Sequence, residues 1–192
     1  MSLAAFRVLA GMASLAVLAS GCAMGSDAGE NPPPQEIPGQ GSEVKSPKEA
    51  SGVEVCALLG PSALQSLGLE SEGEKLKDSL DPSLPEYCKW SAVDGDATVS
   101  LNAFPGRNIQ MYRDHSSSFI DYAEFDVAGH PVVQANEDDP ANGSCALYLA
   151  TNENEILFSF VTETDSSGGM VDPCGLAKQS LELSVAGLPE KN

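Results

Sequence analysis

Positive charge is what this 192-residue chain has least of: ten Lys and Arg stand against 28 Asp and Glu, a formal net charge of −18. A chain so poor in cations repels phosphate backbones and anionic headgroups, which argues against nucleic acid as a partner. Histidine is nearly missing, with only His115 and His130. Close Cys-x-x-Cys pairs are absent, which argues against a structural zinc site. The sequence holds no Walker A loop, no Gly-x-Gly-x-x-Gly after a strand and no Gly-x-Ser-x-Gly elbow. The leading apolar run, Val8 to Leu18, is shorter than the roughly 20 residues that cross a bilayer. What remains is an acidic chain that is 42% hydrophobic, enough to fold.

The apolar run follows Arg7 and ends at Leu18-Ala19-Ser20-Gly21-Cys22. Residues 1–21 read as a cleavable signal peptide, with small side chains that lie extended in a peptidase groove. The Cys22 thiol is the expected acceptor for diacylglycerol, so the segment resembles the bacterial lipobox. Ala19 is a departure, since leucine is commonest there. Cleavage would remove only one charge, that of Arg7. Two acyl chains bury enough methylenes, at about 0.8 kcal/mol each, for a durable membrane anchor, whereas one does not. The expected location is the outer face of the cell membrane.

Residues 22–52 contain Pro32-Pro33-Pro34, Pro38-Gly39, Gly41-Ser42 and Ser46-Pro47, and no aromatic residue. Such material cannot offset its ordering entropy by burial, and reads as a disordered tether. A Ser42-x-x-Lys45 match there lacks the companion motifs of penicillin-recognising enzymes.

Residues 53–192 read as one globular domain. Cys56-Ala-Leu-Leu59 begins a helical stretch, Gly60-Pro61 opens a helix and Gly68 ends it. Residues 69–86 read as a long loop. Cys88 to Val93 and Ala97 to Phe104 flank Asp94-Gly95-Asp96 as a hairpin, and the second segment alternates apolar and polar. A polar helix is expected over 108–119. Short strands follow at Ala123 to Val127, Pro131 to Ala135, Cys145 to Leu149 and Ile156 to Val161. Asp172-Pro173 starts a last helix, with Cys174, Ala177, Leu181 and Val185 on its inner face. The expectation is an α+β fold: a single domain with an antiparallel sheet of about five strands, covered by N- and C-terminal helices and stapled by two disulfides.

Cys22 aside, four cysteines remain: Cys56, Cys88, Cys145 and Cys174. An even number in an exported chain reads as two disulfides. Four cysteines allow three connectivities, among which the sequence does not choose. The preferred pairing, Cys56–Cys88 with Cys145–Cys174, closes loops of about thirty residues, each adding roughly 3–4 kcal/mol on the chain-entropy model.

The order of motifs then carries a resemblance. Lipobox, tether, Cys56-Ala-Leu-Leu59 with Pro61, Cys88-Lys-Trp90, Gly129-His-Pro-Val-Val133, Cys145 and Asp172-Pro-Cys-Gly-Leu-Ala177 follow one another. This resembles the actinobacterial lipoproteins grouped under domain of unknown function 3558. Gly60 and Glu54-Val55 depart from the residues common there. The resemblance implies an envelope lipoprotein and brings no activity and no catalytic residue.

The candidate chemistry is thin. Asp114, His115 and Ser116 are neighbours, a poor start for triad geometry. His130 sits in Gly-His-Pro and reads as a surface turn residue. Glu137-Asp138-Asp139 and Asp94-Gly-Asp96 read as turn carboxylates, neither fitting an EF-hand loop. Asn142-Gly-Ser144 matches a glycosylation sequon that a hairpin turn also explains. No cofactor, metal ligand or catalytic residue is expected. The sequence therefore points to a non-enzymatic binding or accessory module, serving an envelope protein or a small ligand. The alternative is a cell-wall-acting enzyme or lipid carrier with an acidic cleft, which requires a cavity near Asp138, Asp139 or His130.

Overall fold

The structure, a computed structural model, describes residues 44–164 and 171–191. The signal-peptide reading, Cys22 and the tether up to residue 43 lie outside the described residues.

The architecture is α+β, with one antiparallel sheet of seven strands. The strands are β1 (Glu74–Leu76), β2 (Tyr87–Ser91), β3 (Ala97–Pro105), β4 (Asp121–Val127), β5 (His130–Asn136), β6 (Ser144–Asn152) and β7 (Glu155–Glu163). Their order across the sheet is β1-β2-β3-β7-β6-β5-β4. After β3 the chain crosses to the far edge and returns by three hairpins. β7 therefore pairs with β3 along its length, from Ala97↔Glu163 to Pro105↔Glu155. Asp94-Gly95-Asp96 turns β2 into β3, with Gly95 at φ 80°.

Among the described residues three α-helices accompany the sheet: α1 (Pro61–Ser66), α2 (Gln110–Arg113) and α3 (Pro173–Gly187). Gly60 caps α1, with Pro61 in its first turn. Its end closes as a Schellman motif: Leu69 N–H reaches Leu64 C=O, Gly68 N–H reaches Gln65 C=O, and Gly68 adopts φ 66°. The Asp172 carboxylate accepts from Gly175 N–H at the start of α3. Among the described residues, no helix is long and apolar enough to cross a membrane.

The core lies between α3 and one sheet face. Ala177, Leu181 and Val185 recur every fourth residue on α3, and all three are buried. They pack on Val99, Leu101, Leu147, Leu149, Leu157 and Val161, which alternate along β3, β6 and β7. Burying one such leucine is worth about 1.5–3 kcal/mol. Ser180 Oγ meets Ser159 Oγ at 2.8 Å, so the hydroxyls opposed in this layer satisfy each other. Two disulfides, Cys56–Cys88 and Cys145–Cys174, staple this same face.

Four expectations need correction. The sheet has seven strands rather than about five. Part of the difference is β1, three residues without periodicity inside the supposed loop, held by pairing with β2 and by the Glu74–Lys89 ion pair. Gly73, just before it, has no room for a side chain, because a Cβ there would collide with Cys88 Sγ and the Trp90 indole.

The helix expected over 108–119 shrinks to the four residues of α2 and a 3-10 turn at Ser116–Ser118. His130 is buried, not a surface residue. Ala128 and Gly129, at φ 50° and 81°, make a two-residue turn that brings His130 into the ladder opposite Val127. Its Nδ1 lies 2.9 Å from Ala150 O.

The tether boundary at 52 lies too late, since the preceding residues already belong to the domain. Lys48 N–H donates to Thr151 O, and Lys191 N–H donates to Pro47 O. Ala50 is buried in the core, where the Glu155 carboxylate accepts from Ala50 N–H at 2.7 Å and Ser51 N–H at 2.9 Å.

Candidate functional site

The second sheet face is built differently. Alternation along β3 turns Thr98, Ser100, Asn102 and Phe104 away from α3, and cross-strand register sets them beside Thr162, Phe160, Phe158 and Ile156 of β7. On the β4–β6 side this face is roofed by α2. Tyr112 stacks on Tyr148 at 3.9 Å between ring centroids, and Arg113 Nε bonds Glu124 at 2.9 Å. The rest of this face is the β2–β3–β7 side. A groove of about 340 Å³ opens there, with Leu84 and Pro85 of the preceding loop forming its lip.

The groove floor has an apolar row and a polar row. Phe104, Phe158 and Phe160 form the first, with centroid separations of 5.8 Å (Phe104–Phe158) and 6.3 Å (Phe158–Phe160). Tyr148 extends the row at 4.7 Å from Phe158. Phe160 is 37% exposed, large for an aromatic side chain in the middle of a sheet. The polar row is Thr98, Ser100 and Asn102. Asn102 is only 6% exposed, and it lines the groove. Its amide places a neutral donor and a neutral acceptor at the groove.

Charge in the groove is already matched. Lys89 pairs with Glu74 at 3.6 Å. Asp78 accepts from the N–H groups of Leu80 and Asp81. Burial pushes the Tyr148 phenol well above its ordinary range, and likewise raises Tyr112. Both therefore remain neutral hydroxyls. A second depression of about 240 Å³ lies beside Lys75, where a hydrogen bond and charge pairing with Glu86 hold the ammonium above its usual range.

The residues singled out in the sequence do not converge. His115 Nδ1 lies 2.8 Å from Met111 O, while Asp114 accepts from Gln110 Nε2. No Asp114–His115–Ser116 relay forms. Asp94 accepts from Asp96 N–H and Asp139 from Ala141 N–H, both as turn carboxylates. Neither groove is lined by Asp138, Asp139 or His130. The groove that exists rests on residues not singled out. Its signal was the apolar–polar alternation of β3, whose polar positions face a partly covered cavity.

A family model, described as a protein of unknown function (DUF3558), matches residues 17–186. No curated protein and no solved structure matches the chain.

Proposed function

The chain belongs to this family of proteins of unknown function, DUF3558, and from that premise we propose that it is a lipid-anchored, extracytoplasmic binding module without enzymatic activity. Its ligand site is the groove over β2, β3 and β7. The observation that carries the reading is the groove itself, where the rings of Phe104, Phe158 and Phe160 run beside Thr98, Ser100 and a nearly buried Asn102. Ligand sites pair a mostly apolar surface with a few polar groups that fix orientation. Both histidines lie against backbone carbonyls away from the groove, which favours binding over catalysis.

The anchor is part of the same reading. Cys22 carries diacylglycerol, and the Pro- and Gly-rich residues after it hold the domain clear of the membrane. The acidic-cleft alternative loses its support, since Asp138, Asp139 and His130 line neither groove.

One experiment tests the site. A library of small fragments is titrated into the purified full chain and followed by backbone amide shifts. Binders are expected to perturb residues 98–104 and 156–162 together. Hits scattered over the surface, or none, overturn the reading. For the anchor, wild type should take up an alkynyl fatty acid in cells and Cys22→Ala should not. An unlabelled wild type overturns lipidation.

A further inference from the structure

The chemistry of the groove narrows its ligand, and this step rests on the groove being the binding site. We propose that it takes a neutral saccharide, its ring lying against Phe158 and Phe160 with hydroxyl or acetamido groups paired to Asn102.

Three observations converge on that class. First, the floor is two-sided. Phe158 and Phe160 lie nearly parallel, with 10° between their ring planes, and form a flat apolar step. The hydroxyls of Ser100 and Thr98 run alongside on β3, paired in register with Phe160 and Thr162. A pyranose has the matching form, with one face of C–H groups and a rim of hydroxyls.

Second, Asn102 offers both a carbonyl and an NH₂ from a nearly buried position. An acyl chain or a plain aromatic ring would cover that amide without matching it. A hydroxyl or acetamido group accepts and donates at once.

Third, charge complementarity favours a neutral guest. The protein's formal charge is −18, which disfavours anions. At the groove, Lys89 is paired to Glu74 and Asp78 is held by backbone N–H groups. Among the described residues that line the groove, neither charged side chain is left over to repay the desolvation of a charged ligand. An extended peptide fits less well, because the groove lies on the face of the sheet. Its backbone would find no unpaired strand there.

The test uses the purified full chain and four probes: diacetylchitobiose, maltose, glucose 6-phosphate and octanol. At least one of the neutral disaccharides should shift the amides of residues 98–104 and 156–162 saturably. Glucose 6-phosphate should bind at least tenfold more weakly. Phe160→Ala and Asn102→Asp should each weaken disaccharide binding at least tenfold. The partly exposed Phe160 makes the first of these variants safe for folding.

If octanol shifts those amides while both disaccharides are inert, the groove stands as a ligand site and the saccharide inference falls. If glucose 6-phosphate binds as tightly as the disaccharides, neutrality is wrong and the inference falls. If no probe shifts the groove and the fragment library also fails there, both readings fall together.

Discussion

The two faces of this sheet are made by the same strands, yet they meet different demands. On the α3 face, β3, β6 and β7 contribute Val99, Leu101, Leu147, Leu149, Leu157 and Val161, all fully buried under a helix and stapled by both disulfides. On the other face β3 and β7 contribute Thr98, Ser100, Asn102, Phe158 and Phe160 to the floor of a groove. One face maximises burial. The other leaves aromatic area and a row of polar side chains facing a groove. On the proposed reading, stability resides on one side of the sheet and recognition on the other.

Paired substitutions break or sharpen that contrast most directly. Leu181→Ala removes a fully buried side chain from α3 and should cost about 2–5 kcal/mol, lowering Tm by roughly 10 °C. Phe160→Ala, on a ring 37% exposed, should cost no more than about 1 kcal/mol. Urea denaturation of both variants measures the difference. Equal costs would mean that the groove is core and the contrast is false.

Much of the α3 face was legible because its signals are local. Asp172-Pro173 caps a helix, Ala177, Leu181 and Val185 share its inner side, and Asp94-Gly95 makes a turn whatever the rest of the chain does. The groove was not legible as a groove. Thr98, Ser100 and Asn102 read as the ordinary solvent side of a strand, since nothing local says how far α2 reaches across that face. β1 has no periodicity to read, because pairing with β2 creates it. His130 was misread because Gly-His-Pro is turn-like in composition, while the turn itself is Ala128-Gly129.

The segment ahead of the expected boundary joins the two faces, and its clamp supplies the next largest effect. Val44 packs on the groove-side cluster of Phe104, Ala150 and Ile156, whereas Ala50 lies in the α3 core. Between them the chain is fixed to Thr151 and to Glu155. Burial opposes the Glu155 charge, but hydrogen bonds from Ala50, Ser51 and Thr151 outweigh it and hold the carboxyl below its usual range. A depressed folded-state value means that this stabilisation is complete above the ordinary value of 4.5 and fades as pH falls through the folded-state value. Glu155→Gln leaves one of the two backbone N–H groups facing an NH₂, and should cost about 1–3 kcal/mol near neutrality. Melting curves of wild type and variant between pH 3 and 6 should converge toward the acid end. A gap that stays constant with pH would show that the charge is not what holds the segment.

The smallest effect is a control belonging to neither face. Ala128 is exposed at φ 50°, followed by Gly129 at φ 81°, so the two-residue β4–β5 turn needs left-handed backbone at both positions. A Cβ in that region costs about 1–2 kcal/mol, and asparagine tolerates it better than alanine. Asn-Gly is also the favoured sequence for such a turn. Ala128→Asn should therefore stabilise the protein by about 0.5–1 kcal/mol, raising Tm by roughly 2–3 °C. Because the substitution touches neither α3 nor the groove, disaccharide binding should not change. A stabilised variant with altered binding would mean that the sheet transmits strain from its edge hairpin to β3 and β7. The two faces would then be one coupled structure rather than a scaffold and a site.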